Sequence, residues 1–412
     1  MKRMASSTLG REMAMTVMRS LVLLCASFAL LGAGAPALAA EQAAPPVAPA
    51  PTATPVAAPT PAPAPAAAAA KKAPEPLKVS GYVQLDYRRG DTQGVTTVAP
   101  HELVVRRARL SFAGNVSEAV SYAVTLRSDG LVSSSTDVID ASIDVRLVSG
   151  LRVRGGQYKY EFDLEGRESD SGNPLPDRPF PTNAVAGGLG GASGASSPSS
   201  SFRDRGVSLL GETKALGVAW SGALGLFQGA GRAPDENGSF AVVANLKASP
   251  REWLTLNAGF LRSPTQKAGS AEAAYSAWTA GVQLQRGKLF LRSEYYRGER
   301  DAAETQELQG FYVTGAYSLA QRFDLLLRYQ TLRDGRFPAG SDSLRGADVT
   351  LKRFLVQKGR HAGTHLSATY GWRDADEGFA KGVTLLNDGR GPELDSGARV
   401  APFVMLRMQV QF

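Results

Sequence analysis

Residues 398–412, ARVAPFVMLRMQVQF, alternate strictly. Val400, Pro402, Val404, Leu406, Met408, Val410 and Phe412 fall on one face. Arg399, Ala401, Phe403, Met405, Arg407, Gln409 and Gln411 fall on the other, which is fully polar from Arg407 onward. A period of two means an extended strand with one apolar side. The strand is long for a soluble hairpin and ends on an aromatic residue. Apolar side chains outward and polar side chains inward is the pattern of a barrel strand with lipid on one side and a watery lumen on the other. An ordinary edge strand of a soluble sandwich alternates in the same way, so the rest of the chain has to decide.

Similar segments recur at 77–89, 101–114, 119–129, 136–148, 150–163, 202–213, 215–228, 239–248, 252–262, 273–285, 288–298, 307–319, 321–333, 345–357, 361–373 and 398–412. These make about sixteen strands, an even number as bacterial single-chain barrels require. Connections after even-numbered strands are short: 114–118, 212–214, 248–251, 286–287, 320 and 358–360. Those after odd-numbered strands are mostly longer: 90–100, 164–201, 229–238, 263–272, 334–344 and 374–397. A soluble sandwich has no reason to sort its loops by length, whereas an outer-membrane barrel puts short turns on the periplasmic rim and long loops outside. The predicted fold is therefore all-β, a transmembrane antiparallel up-and-down β-barrel with both ends on the short-turn side. The last strand resembles the closing strand of bacterial outer-membrane barrels. That resemblance implies outer-membrane lipid and the barrel assembly machinery, reading Phe412, as partners.

The N-terminal part reads differently. Lys2, Arg3, Arg11 and Arg19 precede an apolar run at 21–31, and Ala37-Leu38-Ala39 supplies a small-x-small cleavage pattern, so 1–40 is expected to be a signal peptide. Residues 41–76 are almost entirely Pro and Ala, a composition that buries no core and favours polyproline II. This periplasmic linker could reach roughly 100 Å at ~3.1 Å per residue. The barrel domain is then 77–412. The mature part offers no run of ~18 apolar residues for a transmembrane helix. The only cysteine, Cys25, lies in the targeting segment, so no disulfide framework is expected. A net charge of +8 favours anionic partners, but no zinc spacing, basic helix or aromatic-rich basic patch points to nucleic acid.

Inside such a barrel the chemistry lies on the inward face. Parity sends Lys78, Arg88, Arg107, Arg109, Arg127, Arg146, Arg152, Arg154, Lys247, Arg292, Arg328, Lys352, Arg373 and Arg407 towards the lumen. The inward acids are fewer: Asp86, Asp140, Asp144, Glu294, Asp324 and Asp348. An arginine surplus in a confined polar channel attracts anions and repels cations. Each single arginine could equally pair across strands and stiffen the wall. The connection 164–201, with GGLGGASGASSPSSS at its centre, is too long to be a mere link. It is expected to fold inward and narrow the lumen, packed by its charged and aromatic flanks; a loop left outside is the alternative. The inward side of 215–228 is mostly small (Gly217, Ala219, Ser221, Ala223, Gly225), leaving room there.

The strings VRRARLSFAG (105–114), SYAVTLRSD, DASIDVRL, LRVRGGQYKYEFDLE and FRDRGVSLLGE together resemble the phosphate-selective porin O and P family, over about 77–211. The resemblance implies a homotrimeric outer-membrane channel whose basic residues guide phosphate or other inorganic anions, and points by motif position to Arg106, Arg107, Arg109, Lys159, Arg203 and Asp204. Combined with parity, the anion pathway is assigned to Arg107, Arg109, Arg127, Arg146, Arg152, Arg154, Lys159, Arg203 and Arg205. Lysine is sparse in the long loops, a departure from the lysine-rich outer loops of phosphate-selective members. Phosphate is therefore expected to be preferred over chloride only modestly. Enzymatic readings find no support. His361 and His365 share one expected strand without a third ligand or a serine and carboxylate at motif spacing, and no phosphate-cradling loop is followed by Lys-Ser/Thr. No cofactor, metal or catalytic residue is expected. The reading is a passive porin; a structural or adhesive barrel and a general non-selective porin are the alternatives.

Overall fold

The computed structural model of the chain describes residues 77–90, 101–128, 136–186, 202–229, 238–263, 274–300, 306–335, 342–376 and 403–412. The expected signal peptide and linker, the loop centre at 187–201 and residues 398–402 lie outside the described residues. Sixteen strands follow one another: β1 (Lys78–Gly90), β2 (His101–Asn115), β3 (Val120–Arg127), β4 (Asp137–Val148), β5 (Leu151–Lys159), β6 (Arg203–Ala215), β7 (Val218–Phe227) and β8 (Ala241–Arg251) in the first half. The second half holds β9 (Leu254–Ser263), β10 (Tyr275–Arg286), β11 (Leu289–Arg300), β12 (Gln306–Ala320), β13 (Phe323–Asp334), β14 (Ser343–Gln357), β15 (Gly363–Ala375) and β16 (Phe403–Gln411). Each pairs antiparallel with the next, and β1 pairs with β16, so the sheet closes into a barrel without an edge. Short turns follow the even strands and longer connections the odd ones.

Alternation decides which side each residue takes. In β16, Val404, Leu406, Met408 and Val410 are exposed on the outer face, while Met405, Arg407 and Gln409 are buried on the inner one. Outer-face Val83, Leu209, Leu224, Leu246, Leu327 and Leu351 are likewise exposed, which is the placement for a face solvated by lipid. The seam is closed by Phe412, whose N–H donates to the Gly81 carbonyl at 3.0 Å and whose carbonyl accepts from the Gly81 N–H at 3.1 Å. A Cβ on residue 81 would sit 2.6 Å from the Phe412 ring, so glycine makes this approach possible.

Register shifts interrupt several strand pairs, and those in β2 and β4 alter simple parity beside the loop. Gln84 pairs with Arg107 and Leu85 with Val105, which leaves Arg106 as the extra residue on β2. Arg106 and its neighbour Arg107 are therefore both buried inside, as a bulge permits and an unbroken strand does not. In β4 the extra residue is Ile139, which is fully buried. Two of the boundaries that differ from the expectation bear on the interior. β5 stops at Lys159 instead of 163, because Tyr160 and Phe162 leave the wall for an apolar cluster with Phe202, Phe227, Val243 and Tyr275. His361 sits in the turn before β15, so the two histidines do not share a strand.

Candidate functional site

The connection after β5 is packed inside the barrel. Its polar backbone needs partners away from bulk water, and the wall supplies amides at the right heights. Asn245 of β8 donates to the Phe162 carbonyl at 2.7 Å. Gln409 of β16 donates to the Ser171 carbonyl at 3.0 Å, and the side-chain oxygen of Gln330 on β13 accepts from the Phe180 N–H at 2.8 Å. Arg407 and Arg328 donate to the carbonyls of Pro176 and Asp177 at 2.8 and 2.6 Å. Tyr275 of β10 donates to the Val185 carbonyl at 2.9 Å. The segment 160–186 thus spans the lumen from β8 to β16.

Charge fixes it further. The segment carries six carboxylates against two arginines, and the wall arginines meet them. Arg107 and Arg109 of β2 lie 3.4 and 3.0 Å from the Asp170 carboxylate, and Arg178 of the loop itself 2.7 Å from it. Burial pushes the Asp170 carboxyl up, but Arg107, Arg178 and Arg109 outweigh it and hold it well below the usual carboxylate range. Asp177 is held low in the same way, against its burial, by Arg88 and Arg106. Arg292 of β11 bonds Glu165 and Glu168, both at 2.6 Å. Arg373 of β15 is stacked between Phe180 of the loop and Phe403 of β16, 4.9 and 4.7 Å from the ring centres.

At the loop root the pattern inverts. Glu294 of β11 accepts from the N–H groups of Leu164 and Glu165 at 2.7 and 3.0 Å and from the Tyr312 hydroxyl at 2.6 Å. The Tyr296 hydroxyl lies within hydrogen-bond distance of both Glu294 and Asp163, at 2.9 and 3.0 Å. Burial, with the charge of Glu165 beside it, raises the Asp163 carboxyl to about 6, against the bond from Tyr296 and the charge of Arg178.

Among the described residues, a cavity of about 570 Å³ lies along the β5–β8 wall. Ala219, Ser221 and Ala223 of β7 line it, so the small face of that strand leaves space for solvent. Arg152, Arg167 and Lys247 bring positive charge to it, Glu161 and Glu212 negative charge. Arg152 and Arg167 keep 39 % and 38 % of their side-chain surface accessible, while Arg292, Arg328 and Arg407 keep 2 % each.

Of the residues assigned from sequence, Arg152 opens onto the cavity, and Arg154 stands beside it in a two-pronged pair with Asp144 at 2.6 and 2.7 Å. Arg146 is exposed near the short-turn rim. Arg107 and Arg109 hold the loop, and Lys159 joins them by donating to the Glu168 carbonyl. Arg127 and Arg203 pair across the wall with Asp137 and Asp140. Arg205 shares its side of β6 with the exposed Val207 and Leu209, whereas Asp204 and Ser208 are buried on the inner side. The anion-pathway assignment makes Arg205 a lumen residue, but strand alternation turns it outward. Sequence reasoning missed Gln84, Gln330, Gln409, Asn245 and Asn257. An inward amide in a strand whose other inward residues are charged was the available signal. Lys247 was placed inward without a pathway role, and Arg167 was read only as loop packing.

A closed sixteen-stranded barrel with an apolar outer belt and a loop packed in its lumen defines an outer-membrane porin, a channel rather than an enzyme. Residues 77–203, from β1 to the start of β6, match the family model of phosphate-selective porin O and P. The sequence matches no curated protein. Among solved structures the chain is similar to an anion-selective porin from Comamonas acidovorans (TM-score 0.59, 12% identity, covering 82% of this chain and 99% of that one). It is also similar to Salmonella typhi OmpF (0.55, 10%, 82% and 97%) and to the trimer form of OmpT, an outer membrane protein of Vibrio cholerae (0.53, 13%, 82% and 99%). At these identities the likeness concerns the fold alone.

Proposed function

We propose that the chain forms a passive channel for phosphate and other small inorganic anions. The observation that carries this reading is the surplus of cationic side chains around the open cavity: Arg152, Arg167 and Lys247 against Glu161 and Glu212. A net positive lining in a narrow polar passage raises the local anion concentration. No energy source enters, and flux follows the gradient through weak successive contacts. The wall and loop together are closer to neutrality than the wall alone, since loop carboxylates occupy Arg107, Arg109 and Arg292. Selectivity is accordingly modest, with phosphate only slightly preferred over chloride. The family match over 77–203 supports the phosphate class, and the trimer form of the similar Vibrio cholerae protein supports a homotrimeric assembly. Of the nine residues assigned from sequence, Arg152 acts directly on passing anions, Arg146 extends its positive field, and Arg154 holds Asp144 beside it. Arg107, Arg109 and Lys159 act by holding the loop that bounds the path. The test is a planar-bilayer reversal potential with phosphate on one side and chloride on the other. Phosphate should permeate, with a preference that weakens at high salt as screening shortens to ~3 Å at 1 M. A channel that excludes phosphate contradicts the proposal.

A further inference from the structure

We infer that ions cross this channel along the β5–β8 wall and that Glu161 sets its selectivity by masking two cations at the cavity. This rests on the anion-channel reading and specifies which residue limits it.

Three observations converge. The segment 160–186 is bonded to β2, β8, β10, β11, β13, β14 and β16, through Arg109, Asn245, Tyr275, Arg292, Gln330, Lys352 and Gln409. The 570 Å³ cavity lies beside the small side chains of β7, with strand residues on one flank and loop residues 161 and 167 on the other. Glu161 lies between two cations, 2.6 Å from Arg167 and 3.8 Å from Lys247. On the opposite flank Arg152 is balanced by Glu212 at 3.2 Å and Asp144 at 3.7 Å.

The shared contacts then single out one residue. Arg167 of the loop, Lys247 of β8 and Glu161 between them leave one net positive charge at this end of the cavity. Neutralising Glu161 doubles it, because both cations lose their shared counter-ion at once. Neutralising Glu212 adds the same unit of charge but releases one cation only, Arg152, which shares Asp144 with Arg154. Arg167, the nearer of the two cations at Glu161, keeps 38 % of its side-chain surface accessible, so replacing the Glu161 charge leaves it in contact with solvent, unlike the 2 % accessible Arg292 at Glu165. The Glu161 side-chain position suits an amide of the same shape.

The experiment uses the full chain carrying Cys25→Ser, which removes the only thiol. Glu161→Gln is expected to raise the anion-to-cation permeability ratio roughly two- to fivefold, the scale of one unit charge at a few ångströms in a wet, screened site. Arg167→Ala and Lys247→Ala are expected to lower it. Ser221→Cys tests the route: attachment of a bulky charged thiol reagent, confirmed by mass, should reduce conductance severalfold. Circular dichroism checks the barrel of each variant, and the two alanine variants keep the inference testable if Glu161→Gln fails to fold. An anion-selective parent whose ratio is unmoved in folded Glu161→Gln, or by both alanine variants, overturns the role of Glu161. Full labelling at residue 221 without loss of conductance overturns the route. A parent channel without anion preference contradicts the underlying reading instead, and is distinguished by that measurement alone.

Discussion

A carboxylate held by three guanidinium groups behaves differently from one facing another carboxylate, and the loop contains both kinds. Asp170 sits among Arg107, Arg109 and Arg178 with its pKa held low. A lowered carboxyl stabilises the docked loop above the unfolded value near 3.8, and the contribution is lost as pH falls below it. Asp170→Asn is expected to weaken docking by about 3 kcal/mol or more at pH 7, since it strands buried cations. The difference from the parent should shrink below about pH 4. Amide hydrogen exchange across 160–186 measures this. Asp163 has the opposite sign. Its carboxyl is raised to about 6, so the protonated form is the one that folding favours. Its stabilising contribution is full below the ordinary value and is lost as pH rises towards 6. Asp163→Asn should therefore protect the Leu164 and Glu165 amides at pH 8 by about 1–3 kcal/mol relative to the parent, and match it near pH 4. Greater exchange in Asp163→Asn at pH 8 would count against this account. Parity exposed the inward acids and arginines individually. It did not show Arg106 beside Arg107, because a single extra residue in β2 is invisible in alternation alone.

Strands were the most legible elements, since lipid outside and polar contents inside impose a period of two on every one of them. The short turns were equally plain. Less visible was the end of β5: YEFDL continues the alternation, yet Tyr160 and Phe162 serve the loop cluster. Nor does the sequence show that loop carboxylates reach across to β2 and β11, because pairing between segments so far apart in the chain leaves no local pattern. The loop depends on close approach as well as on charge. A Cβ at Gly259 of β9 would sit 2.0 Å from the Phe162 carbonyl. Gly259→Ala is therefore expected to lift this part of the loop and break its bond from Asn245. Exchange at the loop amides should rise and the single-channel conductance change, with barrel circular dichroism retained. An unchanged conductance and exchange pattern would show that Phe162 is not held as described. The seam between β1 and β16 makes a parallel case: deleting Phe412 removes both bonds to Gly81, and the yield of assembled barrel at the surface should fall markedly. A normal yield would contradict the seam's importance.

At the scale of the molecule, the barrel wall is rich in arginine and the loop inside it is rich in carboxylate. Most of that charge cancels in buried pairs that position the loop, and a small positive surplus remains where solvent reaches. This division explains why counting inward charges from the sequence overstates the field along the passage: the strands show their own acids, while the balancing ones arrive on a distant segment. It also separates two kinds of arginine variant. Arg107→Ala should alter conductance through the loop, and Arg152→Ala should alter selectivity through the lining. The central claim is that the passage prefers anions. The most direct measurement is the reversal potential of the purified channel in a planar bilayer under a potassium chloride gradient at low salt. A sign reporting anion preference, shrinking as both baths are made more concentrated, is the predicted result; a sign reporting cation preference would contradict it.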